Sequence, residues 1–178
     1  NKVFWPKEGY TKGDVIRYYD RIAQFILPYL KDRPESLNRH PDGITGESFY
    51  HKDITNATKW VKTVPIHSDV EDKMIHWLVC NDKETLLYLA NLGCIELNPW
   101  SSRIEKKDYP DYLIIDLDPN GADFKEVVKT ALTVKKLLDK LQIEGFVKTS
   151  GKTGLHILLP LGAHYTFDQT RQFAELLA

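Results

Sequence analysis

Asp116 and Asp118 stand two residues apart at the end of the apolar run Leu113-Ile114-Ile115-Asp116-Leu117-Asp118-Pro119. In a strand, side chains i and i+2 share a face, so the two carboxylates project together with Cα atoms ~6.5 Å apart while Ile115 and Leu117 face the other way. Like charges held that close are relieved by protonation of one, by a basic partner, or by a divalent cation that takes oxygen ligands. A bare Asp-x-Asp also arises where an edge strand ends in solvent and Asp118-Pro119 opens a turn. Two features raise this pair above that reading: its place at the end of an apolar strand, and a second cluster downstream.

That cluster is Ser150-Gly151-Lys152-Thr153-Gly154-Leu155-His156. Two glycines let backbone approach a ligand closely, the hydroxyls and the His156 ring offer hydrogen bonds, and Lys152 supplies a positive charge, a set that suits a triphosphate. A P-loop is excluded by spacing, because five residues (146–150) separate Gly145 from Gly151 where that motif has four, and a strand pattern rather than a helix follows. The plainer alternative is a glycine-rich β-hairpin with a solvated lysine and a half-buried histidine.

The elements that must position these groups follow from periodicity. Thr11 and Asp14 open a helix whose apolar face is Val15, Ile16, Tyr19, Ile22, Ala23, Ile26, Leu27 and Leu30. Pro28 is expected to bend its last turn or end it early. Between residues 38 and 79 short β-like runs at 49–51, 60–64 and 74–79 are divided by turn residues, which suggests an antiparallel module. Residues 83–92 read as a helix closed by Gly93. A strand at 112–118, a helix at 124–141, strands at 145–149 and 155–159, and a last helix capped by Thr166 and Gln169 complete the chain. The expected fold is mixed α/β, a mixed or antiparallel sheet flanked by helices. A smaller amino-terminal α/β module is expected at 1–82 and a sheet-plus-helix module at 83–178.

The 178 residues, 42% hydrophobic and 28% charged, suit one ordinary folded domain and exclude a disordered or low-complexity chain. With 24 Lys+Arg against 25 Asp+Glu there is no whole-molecule basic field, so any polyanion site is local. No apolar run nears the ~20 residues of a membrane helix, and Cys80 and Cys94 have neither disulfide nor zinc-site spacing. The expectation is a soluble cytoplasmic protein with reduced thiols. The chain starts at Asn1 without Met and stops inside a helical pattern, so it reads as a fragment.

Taken together, a hydrophobic strand with Asp-x-Asp-Pro, a crossover helix, and a strand entering Ser-Gly-x-x-Gly-x-His resembles motifs I and II of the archaeo-eukaryotic primase superfamily. More narrowly, the chain is similar to the polymerase domain of bacterial DNA ligase D over nearly its whole length. The similarity is carried by Lys2-Val3-Phe4-Trp5-Pro6, Gly9-Tyr10-Thr11-Lys12, Arg39-His40-Pro41-Asp42-Gly43, Phe49-Tyr50-His51-Lys52 and residues 90–100. The resemblance implies a primase-like fold. It also implies template-directed nucleotidyl transfer with Mn²⁺ or Mg²⁺, favouring ribonucleoside triphosphates, that fills gaps and extends ends at double-strand breaks in non-homologous end joining. Its implied partners are DNA ends bearing a 5′-phosphate, a Ku-type end-binding protein and an ATP-dependent ligase domain of the same polypeptide.

On this resemblance Asp116 and Asp118 are the catalytic metal ligands, and Ser150, Lys152, His156 and Asn98 contact the incoming nucleotide. Asn98 stands where the family often has histidine. Lys2 and Lys12 match lysines that hold the 5′-phosphate, Phe49 and Tyr50 match aromatics that stack near the template base, and Lys52 would meet the DNA backbone. From spacing alone, Lys2 and Lys12 flank a Pro6/Gly9 bend that could fold them onto one anion, or they are two unrelated surface lysines. Phe49 and Tyr50 could equally be one core and one surface ring. The family's third metal carboxylate has no evident match, since only Asp168 and Glu175 follow His156. A non-catalytic DNA-end binding module is therefore the competing expectation, and an α/β domain binding a phosphorylated small molecule through residues 150–156 is a third.

Overall fold

The computed structural model describes residues 2–177. The chain forms two compact units that divide between Glu105 and Lys106.

The amino-terminal unit opens with a small hairpin, β1 (Val3–Trp5) and β2 (Tyr10–Thr11), followed by helix α1 (Lys12–Leu30). Thr11 caps α1 as its pattern predicts: its Oγ1 accepts from Asp14 N while Asp14 Oδ2 accepts from Thr11 N at 2.8 Å. Pro28 lies inside the last turn and the helix still runs to Leu30, because so near the end only one backbone hydrogen bond is forfeited.

A five-stranded antiparallel sheet follows, made of β3 (Pro34–Arg39), β4 (Phe49–His51), β5 (Thr63–Ser68), β6 (Lys73–Val79) and β7 (Cys94–Pro99). Strand β3 is its hub and pairs with β4, β6 and β7. The run expected at 60–64 becomes a strand only from Thr63. Trp60 and Val61 belong to a turn, Val61 N donating to Thr58 O, with the Trp60 ring set edge-on against Tyr88. Helix α2 (Lys83–Asn91) starts at an Asp82 cap and is closed by Gly93 at φ +81, where a Cβ would lie 2.8 Å from His40 O.

This unit is larger than the 1–82 module expected. Leu86, Leu89 and Ala90 of α2 share one core with Val15, Tyr19, Ala23 and Leu30 of α1, and β7 hydrogen-bonds along β3. Residues 83–105 therefore complete the first sheet and its helical layer instead of opening the second.

The carboxyl-terminal unit holds β8 (Tyr112–Leu117), α3 (Phe124–Lys140), β9 (Phe146–Thr149), β10 (Leu155–Pro160) and α4 (Phe167–Leu177). Its sheet order is β8-β10-β9, with β10 antiparallel to both neighbours. Helix α3 thus carries the chain past the place that β10 later fills. Leu113, Ile115, Leu117, Ile157 and Leu159 face the core with Ala131, Val134 and Leu138 of α3 and Phe173 and Ala174 of α4. The other sheet face is left uncovered by these helices. The last helix has the capping pair read from sequence, with Thr166 N donating to Gln169 Oε1 and Gln169 N to Thr166 Oγ1.

Candidate functional site

The alternation of β8 sends Leu113, Ile115 and Leu117 inward, so Ile114 and Asp116 project on the uncovered face, and Asp118 follows just past the strand's end. Register then sets what they meet. Asp116 lies opposite His156 in β10, and His156 opposite Lys148 in β9. A carboxylate, an imidazole and an ammonium therefore cross the sheet in one row, with His156 Nε2 3.4 Å from Asp116 Oδ1. The adjacent row is apolar, Ile114, Leu158 and Phe146. Lys148 was not anticipated as a site residue. A hairpin centred on residue 152 pairs 156 with 148, so the arithmetic was present in the sequence.

The Ser150–Gly154 turn is a hairpin, and this excludes a helix-opening phosphate loop. Ser150 N donates to Gly154 O, and Gly154 N donates to Ser150 Oγ at 2.9 Å. A Cβ at Gly154 would lie 2.5 Å from Leu117 O and 2.9 Å from Asp118 Oδ1. Only glycine brings this turn so close to the second carboxylate. Gly151, at φ +107, opens the tip, and Lys152 and Thr153 are exposed on it. Together with Pro119, Ala122 and Phe124 at the start of α3, the tip borders a cavity of about 470 Å³.

Asp116, on β8, and Asp118, just past its end, are both exposed, and two such carboxylates are donors that suit a hard divalent cation whose remaining ligands are phosphate oxygens and water. Among the described residues, no group of three or more His, Cys, Asp or Glu side chains is placed to hold a metal ion. Asp168 lies on α4 within 3.6 Å of Arg171, on the layer that covers the opposite sheet face.

In the amino-terminal unit, the bend at Pro6 and Gly9 folds β1 onto β2, and Lys12 N donates to Lys2 O at 2.8 Å. The two lysines are thus neighbours in space, Lys12 in the first turn of α1 and Lys2 with its ammonium on the exposed Asp42 carboxylate. Phe49 and Tyr50 are 46% and 63% exposed, so neither is a core ring. Arg39, part of a family motif but given no site role from sequence, lies across from Phe49 in β3. Its guanidinium stacks over that ring at 5.3 Å and its Nε donates to Leu92 O, which fixes the ring's surroundings. Lys52 follows β4 and is exposed. Asn98, on β7 opposite Ser36, has a buried Nδ2 with no hydrogen-bond partner.

A sequence model of the family described as LigD, primase-polymerase domain, matches residues 11–178. The chain belongs to the LigD primase-polymerase family. It is 33% identical over its full length to the bifunctional non-homologous end joining protein LigD of Bacillus subtilis (strain 168), covering 28% of that protein. It is 31% identical, over 97% of its length, to the multifunctional non-homologous end joining protein LigD of Pseudomonas aeruginosa, covering 21% of it. The chain thus spans about a quarter of the length of the LigD proteins it matches. The polymerase domain of Mycobacterium tuberculosis ligase D in complex with DNA has the same fold, with a TM-score of 0.85 at 24% identity over 99% of this chain and 64% of that one. The mixed α/β, primase-like fold expected from sequence is that of this LigD domain.

Proposed function

We propose that this domain performs metal-dependent, template-directed nucleotidyl transfer at broken DNA ends, favouring ribonucleotides, as the polymerase part of a LigD-type end-joining protein. One observation supports the reading: the β8–β10 register sets Asp116 against His156, and the close approach of Gly154 brings the Ser150 turn against Asp118. In the reaction a primer 3′-hydroxyl oxygen bonds to the α-phosphorus, the bond to pyrophosphate breaks, and the hydroxyl proton passes to solvent. Asp116 and Asp118 would hold Mn²⁺ or Mg²⁺, which when bound offsets the charge that develops on the attacking and leaving oxygens.

The chain's own groups then orient the nucleotide. Ser150 Oγ already accepts from Gly154 N, so its hydroxyl hydrogen is left to donate to a phosphate oxygen. Lys152 adds charge and His156 a ring N–H to the same triphosphate. In the other unit the paired Lys2 and Lys12 would hold a 5′-phosphate, with the exposed Phe49 and Tyr50 rings taking a template base and Lys52 the backbone. A Ku-type protein and a ligase domain would be its partners in end joining.

The test is primer extension on gapped DNA with Mn²⁺ and ribonucleoside triphosphates, using a protein that contains this domain. Asp116→Ala should abolish extension while leaving DNA affinity within about twofold, because an exposed carboxylate contributes little to phosphate contacts. Extension that survives the substitution would overturn the assignment. That no third carboxylate joins the pair among the described residues favours one other reading, a DNA-end binding module without turnover. That reading predicts 5′-phosphate-dependent binding with no extension by the unsubstituted protein.

A further inference from the structure

The β1–β2 hairpin and the first turns of α1 enclose an open cleft of about 580 Å³ that the proposed reaction does not use. Its walls are aromatic. The Trp5 and Tyr10 rings stand nearly perpendicular, 81° apart with centroids at 6.5 Å, and Tyr18 stands edge-on to Tyr19 at 5.3 Å. Tyr10 and Tyr18 are 57% and 58% exposed. Tyr19 is tied down by donating its hydroxyl to Ile95 O. Two carboxylates complete the lining, Glu8 and Asp14. Asp14 is held ionised by the Thr11 and Arg17 hydrogen bonds, whereas Glu8 accepts no hydrogen bond among the described residues.

This lining selects its occupant by charge. A phosphate would meet two carboxylates. A purely apolar group would desolvate Glu8 without pairing it. A cation gains the faces of several electron-rich rings and a free carboxylate together. Of the two biological candidates, a guanidinium is planar, stacks on indole and phenol faces, and forks onto a carboxylate, while an ammonium is more strongly hydrated. The cleft is also not isolated. Tyr18 continues along α1 to Phe25 and Tyr29, at i+7 and i+11, 67% and 73% exposed. That stripe is apolar surface that a bound protein chain would cover and a free amino acid would not.

We propose that the Trp5/Tyr10/Tyr18 cleft receives an arginine side chain presented by a protein partner, with Glu8 as its counter-ion. The site is independent of nucleotide transfer and stands or falls separately from it.

The probe is the blocked tripeptide acetyl-Gly-Arg-Gly-amide, titrated into protein carrying ¹⁵N-labelled tryptophan. The Trp5 indole signal is identified by its loss in Trp5→Phe. A saturable shift of that signal is expected in the millimolar range, absent with the citrulline tripeptide, which is neutral at nearly the same shape, and weaker with the lysine tripeptide. Glu8→Gln, at an exposed position, should fold normally and weaken the arginine tripeptide about fivefold, without changing affinity for gapped DNA. Equal shifts with citrulline, no shift up to about 50 mM, or unchanged affinity in Glu8→Gln would overturn the proposal. So would free L-arginine binding more tightly than the blocked tripeptide, since that marks a site built for the α-ammonium and α-carboxylate of a free amino acid.

Discussion

Gly154 is the residue on which the two sequence motifs meet. Its missing side chain leaves the space that Leu117 O and Asp118 Oδ1 border, at 2.5 and 2.9 Å from where a Cβ would be. The first neighbour is backbone in a paired strand, so it cannot swing aside. Gly154→Ala should therefore shift the turn, destabilise the carboxyl-terminal unit by about 1–3 kcal/mol and weaken nucleotide binding. Gly151→Ala strains only an exposed tip. Thermal melts and titration with a fluorescent nucleotide would rank the two, and a milder effect for Gly154→Ala would contradict the packing argument. Lys2 and Lys12 give a second residue-scale expectation. An end phosphate carries more charge than a backbone diester, so replacing both lysines by Ala should weaken binding to gapped DNA with a 5′-phosphate far more than to the same DNA with a 5′-hydroxyl. Equal losses, measured at one salt concentration, would reduce the pair to general attraction.

At the scale of elements, strand β3 shows why parts of the fold were hidden. Pro34-Glu35-Ser36-Leu37-Asn38-Arg39 has no hydrophobic alternation, yet it is the hub of its sheet, and Glu35 is 0% exposed with neither carboxylate oxygen hydrogen-bonded. Tertiary placement overrode a polar sequence. By contrast, α1, α2, α3 and β8 were legible because caps and apolar spacing agreed, and Asp116 stands opposite His156 because strand alternation and hairpin register are fixed by geometry. Lys148 was not seen, and Arg39 was read only as part of a motif, because what each meets depends on register with a partner strand. The 83 boundary failed for the same reason: β7 pairs with β3 across a long sequence gap. Burial raises the Glu35 pKa from its ordinary 4.5 to about 8, against a smaller opposing effect of Arg33. The folded protein thus keeps a proton that the unfolded chain releases. Stability is greatest below about pH 4.5 as far as this group is concerned. It falls as pH rises toward 8, by up to about 1.4 kcal/mol per pH unit. Glu35→Gln should flatten that dependence, as urea melts between pH 5 and 8 would show; an unchanged slope would mean Glu35 is ionised in the fold.

At the scale of the whole molecule the two units are unequally built. The first has a broad core running from Phe4 through α1 and α2 to Cys94, whereas the core of the second rests on Leu113, Leu138, Ile157 and Leu159 with half-buried neighbours. No helix among the described residues is long and apolar enough to cross a membrane. Amide exchange should therefore show the sheet β8-β10-β9 opening at lower free energy than β3 and α2, and the reverse order would be inconsistent with these cores. The strand order has a further consequence for how the domain is made. β9 and β10 are joined by a short turn and can zip together within microseconds, but β8 must wait for α3 to close a loop of about forty residues before it pairs with β10. The carboxylates arrive with β8 and the residue after it, and the groups proposed to face phosphate arrive on the hairpin. Assembly of the site is thereby the same event as the slowest closure of its sheet, and a nucleotide that bridges the two halves would act as a clasp on the finished fold.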